Sequence, residues 1–295
     1  MDTPRRWALF ITMVFIVIPV ASIFGEASSR EEAKRLQEES QELWSKDHEK
    51  AIRMLDRAIE LDPTSAEAYT RRAYGHWRID DAQSIRDFTE AIRLTNERDS
   101  QLFFSRGDAY FRLGHYQLAV ADFSRSLLLT PGDYSIYQSR AAAYHMLGLY
   151  ELVISDYSRA MELGRHHRDK GYDRYEPWND FFGRASAFEQ LHQYDKALED
   201  FTEALRTSLS PEITAMVYGA RGRVFTLIPD YDQAIADLSE SIGLVRTHSL
   251  KESLFPLASS YYFRGIAHKR KGLADKAVAD FVEACRFGIV KACTE

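Results

Sequence analysis

The chain has 295 residues, 45% of them hydrophobic and 28% charged, with a formal charge of −6. Such a composition excludes a disordered chain, which lacks apolar residues to bury. The negative balance argues against nucleic acid as a partner, because phosphate binding needs a surplus of Lys and Arg.

In chain order the first element is an uncharged run, residues 7–24, behind Arg5 and Arg6. Its length is at the lower limit of the roughly 20 residues that cross a bilayer as a helix. It exceeds the roughly 7–15 apolar residues of a cleavable signal peptide. Pro19, Ala21 and Ser22 give a signal-like end without a clean A-x-A. Residues 1–27 are therefore expected to be a signal peptide or a signal-anchor helix, both readings staying open. Either one places the rest of the chain outside the cytoplasm, because a basic flank stays inside. The protein is then membrane-anchored through residues 7–24, or secreted or periplasmic if that segment is cleaved.

From residue 28 to 295 one pattern recurs, and repeats decide a fold before any other signal. The clearest copy is FFSRGDAYFRLGHYQLAVADFSRSLLLTP, from Phe103 to Pro131. It is followed by YQSRAAAYHMLGLYELVISDYSRAMEL (137–163) and FFGRASAFEQLHQYDKALEDFTEAL (181–205). The last two are YGARGRVFTLIPDYDQAIADLSESI (218–242) and YYFRGIAHKRKGLADKAVADFVEAC (261–285). An earlier copy, YTRRAYGHWRIDDAQSIRDFTEAI (69–92), has a turn one residue shorter. The first copy keeps only its second half, ending AIRMLDRAIELDP at Pro63. Within each copy the apolar residues fall at i, i+3, i+4 and i+7, which predicts two amphipathic helices. A short Gly- or Asp-bearing turn makes them antiparallel neighbours. One hairpin cannot bury such a face alone, so the copies must stack.

The unit resembles the tetratricopeptide repeat, a 34-residue helix–turn–helix. In the best copy Phe103 takes repeat position 4, Gly107 position 8, Tyr110 position 11, Ala119 position 20, Phe123 position 24, Ser126 position 27 and Pro131 position 32. The resemblance implies an all-α, right-handed superhelical solenoid of about seven hairpins, plus the N-terminal apolar helix. The repeats are expected at about 30–64, 65–97, 100–133, 134–164, 178–210, 215–246 and 258–291. The charged leading helix EEAKRLQEESQELW reads as a solvent-facing cap.

Comparing the copies with one another isolates a charge pair. Position 7 is arginine in six of them: Arg72, Arg106, Arg140, Arg184, Arg221 and Arg264. Position 23 is aspartate in the same six: Asp87, Asp122, Asp156, Asp200, Asp237 and Asp280. The first copy has Glu38 and Met54 there, so both partners are missing together. The two positions lie symmetrically about the turn. An intra-repeat, bidentate ion pair that fixes register is expected, in preference to an arginine ladder for anions.

In the resembled family the concave surface comes from the first helix of each hairpin, near positions 2, 5, 9 and 12. Carried over, this gives Tyr74, Trp77, Phe104, Asp108 and Phe111, then Gln138, His145, Phe182 and Glu189, then Arg223, Tyr262 and Lys269. That set implies an aromatic groove with isolated charges, suited to a segment with apolar anchors. No copy shows the Lys/Asn carboxylate clamp of cochaperone-type members.

Two intervals between successive position-20 residues stretch, from 153 to 197 and from 234 to 277. The extra residues fall around 165–177 and around VRTHSLKESLFP, and both are expected as edge loops. His166, His167, Asp169 and Asp173 admit a metal reading, but a solvated loop of mixed charge fits them better. Cys285 and Cys293, eight residues apart, are read as a small buried residue and a free thiol, with a disulfide open if the compartment oxidises.

No phosphate-binding Gly-rich loop, H-E-x-x-H, G-x-S-x-G or Cys-x-x-Cys occurs, so neither an enzyme nor a resident cofactor or metal is expected. Two functions remain. One is a scaffold outside the cytoplasm that grips another protein or peptide in its groove. The other is an assembly component packing through its convex face and edge insertions.

Overall fold

The computed structural model describes residues 20–169, 175–208, 210–248 and 254–295. Among them are fourteen α-helices, a closing 3-10 turn and no strand. The helices pair in sequence into seven hairpins, which fall into two compact units, the first ending at Asn96 and the second beginning at Glu97.

The first unit holds α1 (Val20–Leu43), α2 (His48–Leu61), α3 (Ala66–His76) and α4 (Asp81–Leu94). Asp47, Ser65 and Asp80 start the last three by accepting a first-turn backbone N–H, which satisfies a donor that has no partner inside the helix. Ala33, Ala58 and Ala68 are buried together where α1, α2 and α3 meet.

The second unit holds α5 (Ser100–Arg112), α6 (Tyr116–Leu129), α7 (Tyr134–Met146), α8 (Tyr150–Asp169) and α9 (Pro177–Gln190). It continues with α10 (Tyr194–Thr207), α11 (Pro211–Leu227), α12 (Tyr231–Thr247), α13 (Leu254–Arg270) and α14 (Ala274–Arg286), and ends in a 3-10 turn, Val290–Thr294. The hairpin turns after α5 and α7 pass through Gly114 and Gly148 at φ 77° and 72°, a left-handed conformation that glycine adopts without a Cβ penalty.

The small-residue rule explains how closely paired helices approach. Ala119, Ala197, Ala234 and Ala277 at position 20 are buried, as are Phe123, Phe201, Leu238 and Phe281 at position 24. A Cβ on Gly107, Gly222 or Gly265 would press into Phe123, Leu238 and Phe281 respectively. Position 8 is therefore small because position 24 is large.

Three expectations need adjustment. The segment around 165–177 is not wholly a loop: with no helix breaker before Asp169, α8 simply runs on, and residues 170–174 lie outside the described ones. Likewise α12 extends to Thr247 before residues 249–253, which are also undescribed. Of the N-terminal segment, residues 1–19 lie outside the described residues, and α1 runs unbroken from Val20 past position 27. Among the described residues no helix is long and apolar enough to cross a membrane.

Candidate functional site

Each of the six position-7 arginines closes a two-toothed fork on the aspartate of its own hairpin. The Nε···Oδ2 and Nη2···Oδ1 distances are 2.9 and 2.7 Å for Arg72–Asp87, 2.7 and 2.8 Å for Arg106–Asp122, and 2.8 and 2.8 Å for Arg140–Asp156. They are 2.7 and 2.8 Å for Arg184–Asp200, 2.7 and 2.9 Å for Arg221–Asp237, and 3.0 and 2.7 Å for Arg264–Asp280. The aspartates are buried. Aromatic residues at positions 4 and 11 flank the guanidinium, as Tyr137 and Tyr144 do for Arg140, each ring centroid 5.6 Å away. Burial opposes the Arg140 charge, but the hydrogen bonds and charge of Asp156 outweigh it and raise the arginine pKa.

The third arm of the guanidinium reaches backwards along the stack. Arg140, Arg184, Arg221 and Arg264 donate from Nη1 to Ser124, Ser158, Thr202 and Ser239 of the preceding hairpin, at 2.9–3.0 Å. In the first unit Arg72 donates to Asp56 at 2.7 Å. All these acceptors occupy position 25. Its polarity from Asp56 to Ser239, set against Val282 in the last copy, was a readable signal that attention to position 23 passed over. The pair therefore joins hairpins as well as the two helices within one.

The expected groove residues are less free than an open face would require. Tyr74 packs edge-on against Phe88 and lies beside Trp77, each at 5.2 Å. Phe104, Phe182 and Tyr262 lean on the position-24 rings of their own hairpins, Phe123, Phe201 and Phe281, at 5.7, 5.6 and 6.0 Å. Phe111 meets Tyr116 edge-on, and exposed His145 does the same with Tyr150. The charges are not isolated either. Asp108 pairs with Arg112, Arg223 forks onto buried Glu189 at 2.9 and 2.7 Å, and Lys269 holds Glu295 at 2.6 Å. A charge half out of water gains by finding a counter-charge one repeat away.

One break in the aromatic row makes a cavity. Position 5 carries Phe104, Phe182 and Tyr262 in three hairpins but Gly219 in the sixth. A side chain there would crowd Ser260 and Ser241, whose hydroxyls hydrogen-bond each other at 2.8 Å beneath it. The missing ring leaves a notch of about 240 Å³, lined by Phe182, Met216, Ala220, Arg223, Pro256 and Phe263 from α9, α11 and α13. Metabolite pockets are usually roughly 300–1,000 Å³, so the notch is sized for a single bulky side chain.

A second polar feature holds α7 to α9. Asp180 is fully buried. It accepts hydrogen bonds from Gln138 Nε2 at 2.6 Å and Tyr175 Oη at 2.8 Å. Burial pushes its pKa up to about 6 in spite of those bonds and the Arg184 charge. Tyr157 is pushed up to about 12 by burial and by the Asp180 charge. The Tyr175 ring lies against Gly164 and edge-on to Tyr134, which anchors the end of the first insertion. Thus Gln138, a groove candidate, serves a buried contact.

For the metal reading, Asp173 and the side chains of His167 and Asp169 lie outside the described residues; among the described ones no cluster of three or more His, Cys, Asp or Glu could hold an ion. The cysteine reading changes: Cys285 and Cys293 are joined in a disulfide, because the chain doubles back after α14 and brings them together.

Antiparallel hairpins locked end to end define a helical-repeat protein. Residues 100–133 and 182–248 match tetratricopeptide repeat models, so these two stretches of the chain are similar to tetratricopeptide repeats. Anaphase-promoting complex subunit 3 of Schizosaccharomyces pombe is 26% identical over 212 residues, which is 71% of this chain but only 30% of that relative. The C-terminal part of a repeat protein from Cytophaga hutchinsonii superposes with a TM-score of 0.64 at 16% identity, covering 89% of this chain and 97% of that one. YrrB, described as having an unusual peptide-binding site, gives 0.52 at 16%, covering 70% and 96%. These structural likenesses establish the fold.

Proposed function

We propose that this protein is a non-catalytic scaffold that holds a segment of another protein, with one bulky apolar side chain of the partner seated in the Gly219 notch. The carrying observation is the notch itself: an apolar cavity framed by Phe182 and Phe263, with a guanidinium at its wall. Burying one Leu- or Phe-sized side chain there contributes about 1.5–3 kcal/mol, enough to anchor a segment whose backbone lies along the groove face. The likenesses to a complex subunit and to a peptide-binding repeat protein support a protein as the ligand. The site lies outside the cytoplasm in this reading. Arg5 and Arg6 before an uncharged run, and a disulfide at the other end, both support that location.

The test is selection of a random peptide library on the full chain and on a Met216→Glu variant. Met216 lines the notch without belonging to the buried core, so the variant keeps its fold by circular dichroism. The chain should enrich peptides sharing one bulky apolar residue, and Met216→Glu should lose them. Equal enrichment on both, or none on the native chain, refutes the reading.

A further inference from the structure

In the second unit each position-20 and position-24 row is covered by the first helix of the next hairpin; Ala119 and Phe123, for instance, cluster with Ile136 and Ala143 of α7. The last hairpin has the same row, Ala277, Phe281 and Ala284, and among the described residues no further α-helix covers it. Its cover is the closing 3-10 turn. Ala292 is buried against Ala277, Phe281, Ala284 and Tyr261, with Phe287 and Ile289 beside it. Phe287 stacks on Tyr261 at 6.1 Å with the ring planes 9° apart. Lys291 sits over the Tyr262 ring at 6.0 Å, and Glu295 accepts from Lys269 Nζ at 2.6 Å. Two residues expected on an open groove, Tyr262 and Lys269, are thus met by the chain's own last residues. The Cys285–Cys293 bond ties that strap to the end of α14.

We infer that residues 287–295 are a disulfide-held strap occupying the stacking face of the last hairpin in cis, and that reduction of Cys285–Cys293 opens this face to a partner helix of matching chemistry. The strap shows what the face accepts: a small apolar residue inserted over Phe281, and a carboxylate three residues later on Lys269. A 3-10 turn places residues i and i+3 on one side, as an α-helix does to within one residue. The partner is therefore an amphipathic helix with a small residue followed one turn later by Asp or Glu. This face lies beyond the Gly219 notch, and the inference does not rest on what the notch binds.

The reductant is a dithiol. One thiolate attacks Sγ of Cys293, which lies on an exposed residue, and forms a mixed disulfide with it. Cys285 leaves as a thiolate and takes up a proton. The second thiol then displaces Cys293, so that two protein thiols and one oxidised dithiol result. While closed, the bond keeps the strap at the high effective concentration of a short tether, which a free segment must outcompete.

The probe is a fluorescent peptide of residues 287–295 with serine in place of Cys293, titrated against the full chain by anisotropy. The native oxidised chain should not bind it. The native chain in excess dithiol, and Cys293→Ser without it, should bind at least on the order of tenfold more tightly, since the strap is then held to α14 by the backbone alone and no longer closed into a loop. A second variant, Cys293→Ser with Ala292→Glu, expels the strap by placing a charge against Phe281 and should bind most tightly. Lys269→Glu in the Cys293→Ser background should weaken the peptide, with recovery when its Glu295 is replaced by Lys. Equal binding to the oxidised and reduced chains overturns the inference, as does failure of every opened form to bind while circular dichroism shows the repeats intact. Backbone hydrogen exchange gives an independent readout: protection over 287–295 should fall on reduction, and unchanged protection also overturns it.

Discussion

Asp180→Asn is the sharpest test of the energetics of the second unit. The carboxyl is fully buried and its pKa is raised from 3.8 to about 6. A shift of that size corresponds to about 3 kcal/mol of preference for the neutral form in the folded state. The sign follows from the direction. A folded-state pKa above the unfolded one favours folding fully below about pH 4, and the advantage is lost as pH rises through about 6. At pH 8 the native chain therefore carries an ionised buried carboxylate, while the amide is always neutral. Asparagine keeps the geometry: its oxygen accepts from Gln138 Nε2, and its Nδ2 donates to the Tyr175 hydroxyl. The variant should be more stable than the native chain by about 3 kcal/mol at pH 8, by roughly half that near pH 5, and by almost nothing near pH 3. The assay is urea unfolding of both chains at the three pH values, followed by circular dichroism. The difference between them cancels every other titrating group. A constant difference across pH, or an asparagine variant less stable at pH 8, refutes the argument that burial dominates this site.

The remaining predictions concern the inter-helix lock and the insertion anchor. Asp156→Ala strands a half-buried guanidinium between two tyrosines and should cost about 3 kcal/mol, whereas the double change Arg140→Met with Asp156→Leu should cost less; chemical unfolding of both decides it. Ser239→Val removes one acceptor from Arg264 and should destabilise the junction of the last two hairpins by about 1 kcal/mol, read as faster amide exchange in α13 with α7 unchanged. Gly164→Ala should drive the Tyr175 ring off α8 and break its bond to Asp180, lowering stability at pH 7 by an amount that Asp180→Asn does not add to, as a double-mutant cycle will show.

The hairpins were legible because each copy repeats the same spacing of small and large residues, and a spacing fixes helix geometry directly. Positions 7 and 23 could be matched for the same reason: six copies carry Arg and Asp there while the first lacks both, and the structure joins those residues. What escaped was whatever breaks or crosses the repeat. Gly219 matters only because its neighbours at position 5 are aromatic, an exception that a consensus discards. Asp180 and Tyr175 meet through an insertion that no other copy has. Glu189 answers Arg223 from one repeat away, so each looks like a solitary charge in its own helix. Cys285 and Cys293 join only because the chain reverses at Gly288, with φ 99°. Contacts made once leave no period to read.

The guanidinium gives the stack a direction. Its Nε and Nη2 bind the aspartate of its own hairpin, and Nη1 binds position 25 of the one before. In the second unit each hairpin from α7–α8 onward thus donates backwards to a hydroxyl of the hairpin before it. Reversing one hairpin would strand both a buried arginine arm and its acceptor, at a cost of about 1–3 kcal/mol each. That penalty selects one order where rows of similar small and large buried residues alone would accept several. Val282 has no acceptor to offer, which agrees with its hairpin facing a strap instead of another arginine-bearing helix. The strap brings no guanidinium; it holds the face through Ala292, Lys291, Glu295 and one covalent bond. The lock seen at the other junctions within the second unit is thus absent where the strap sits, and beyond the backbone itself the covalent hold there is a bond that a thiol can break.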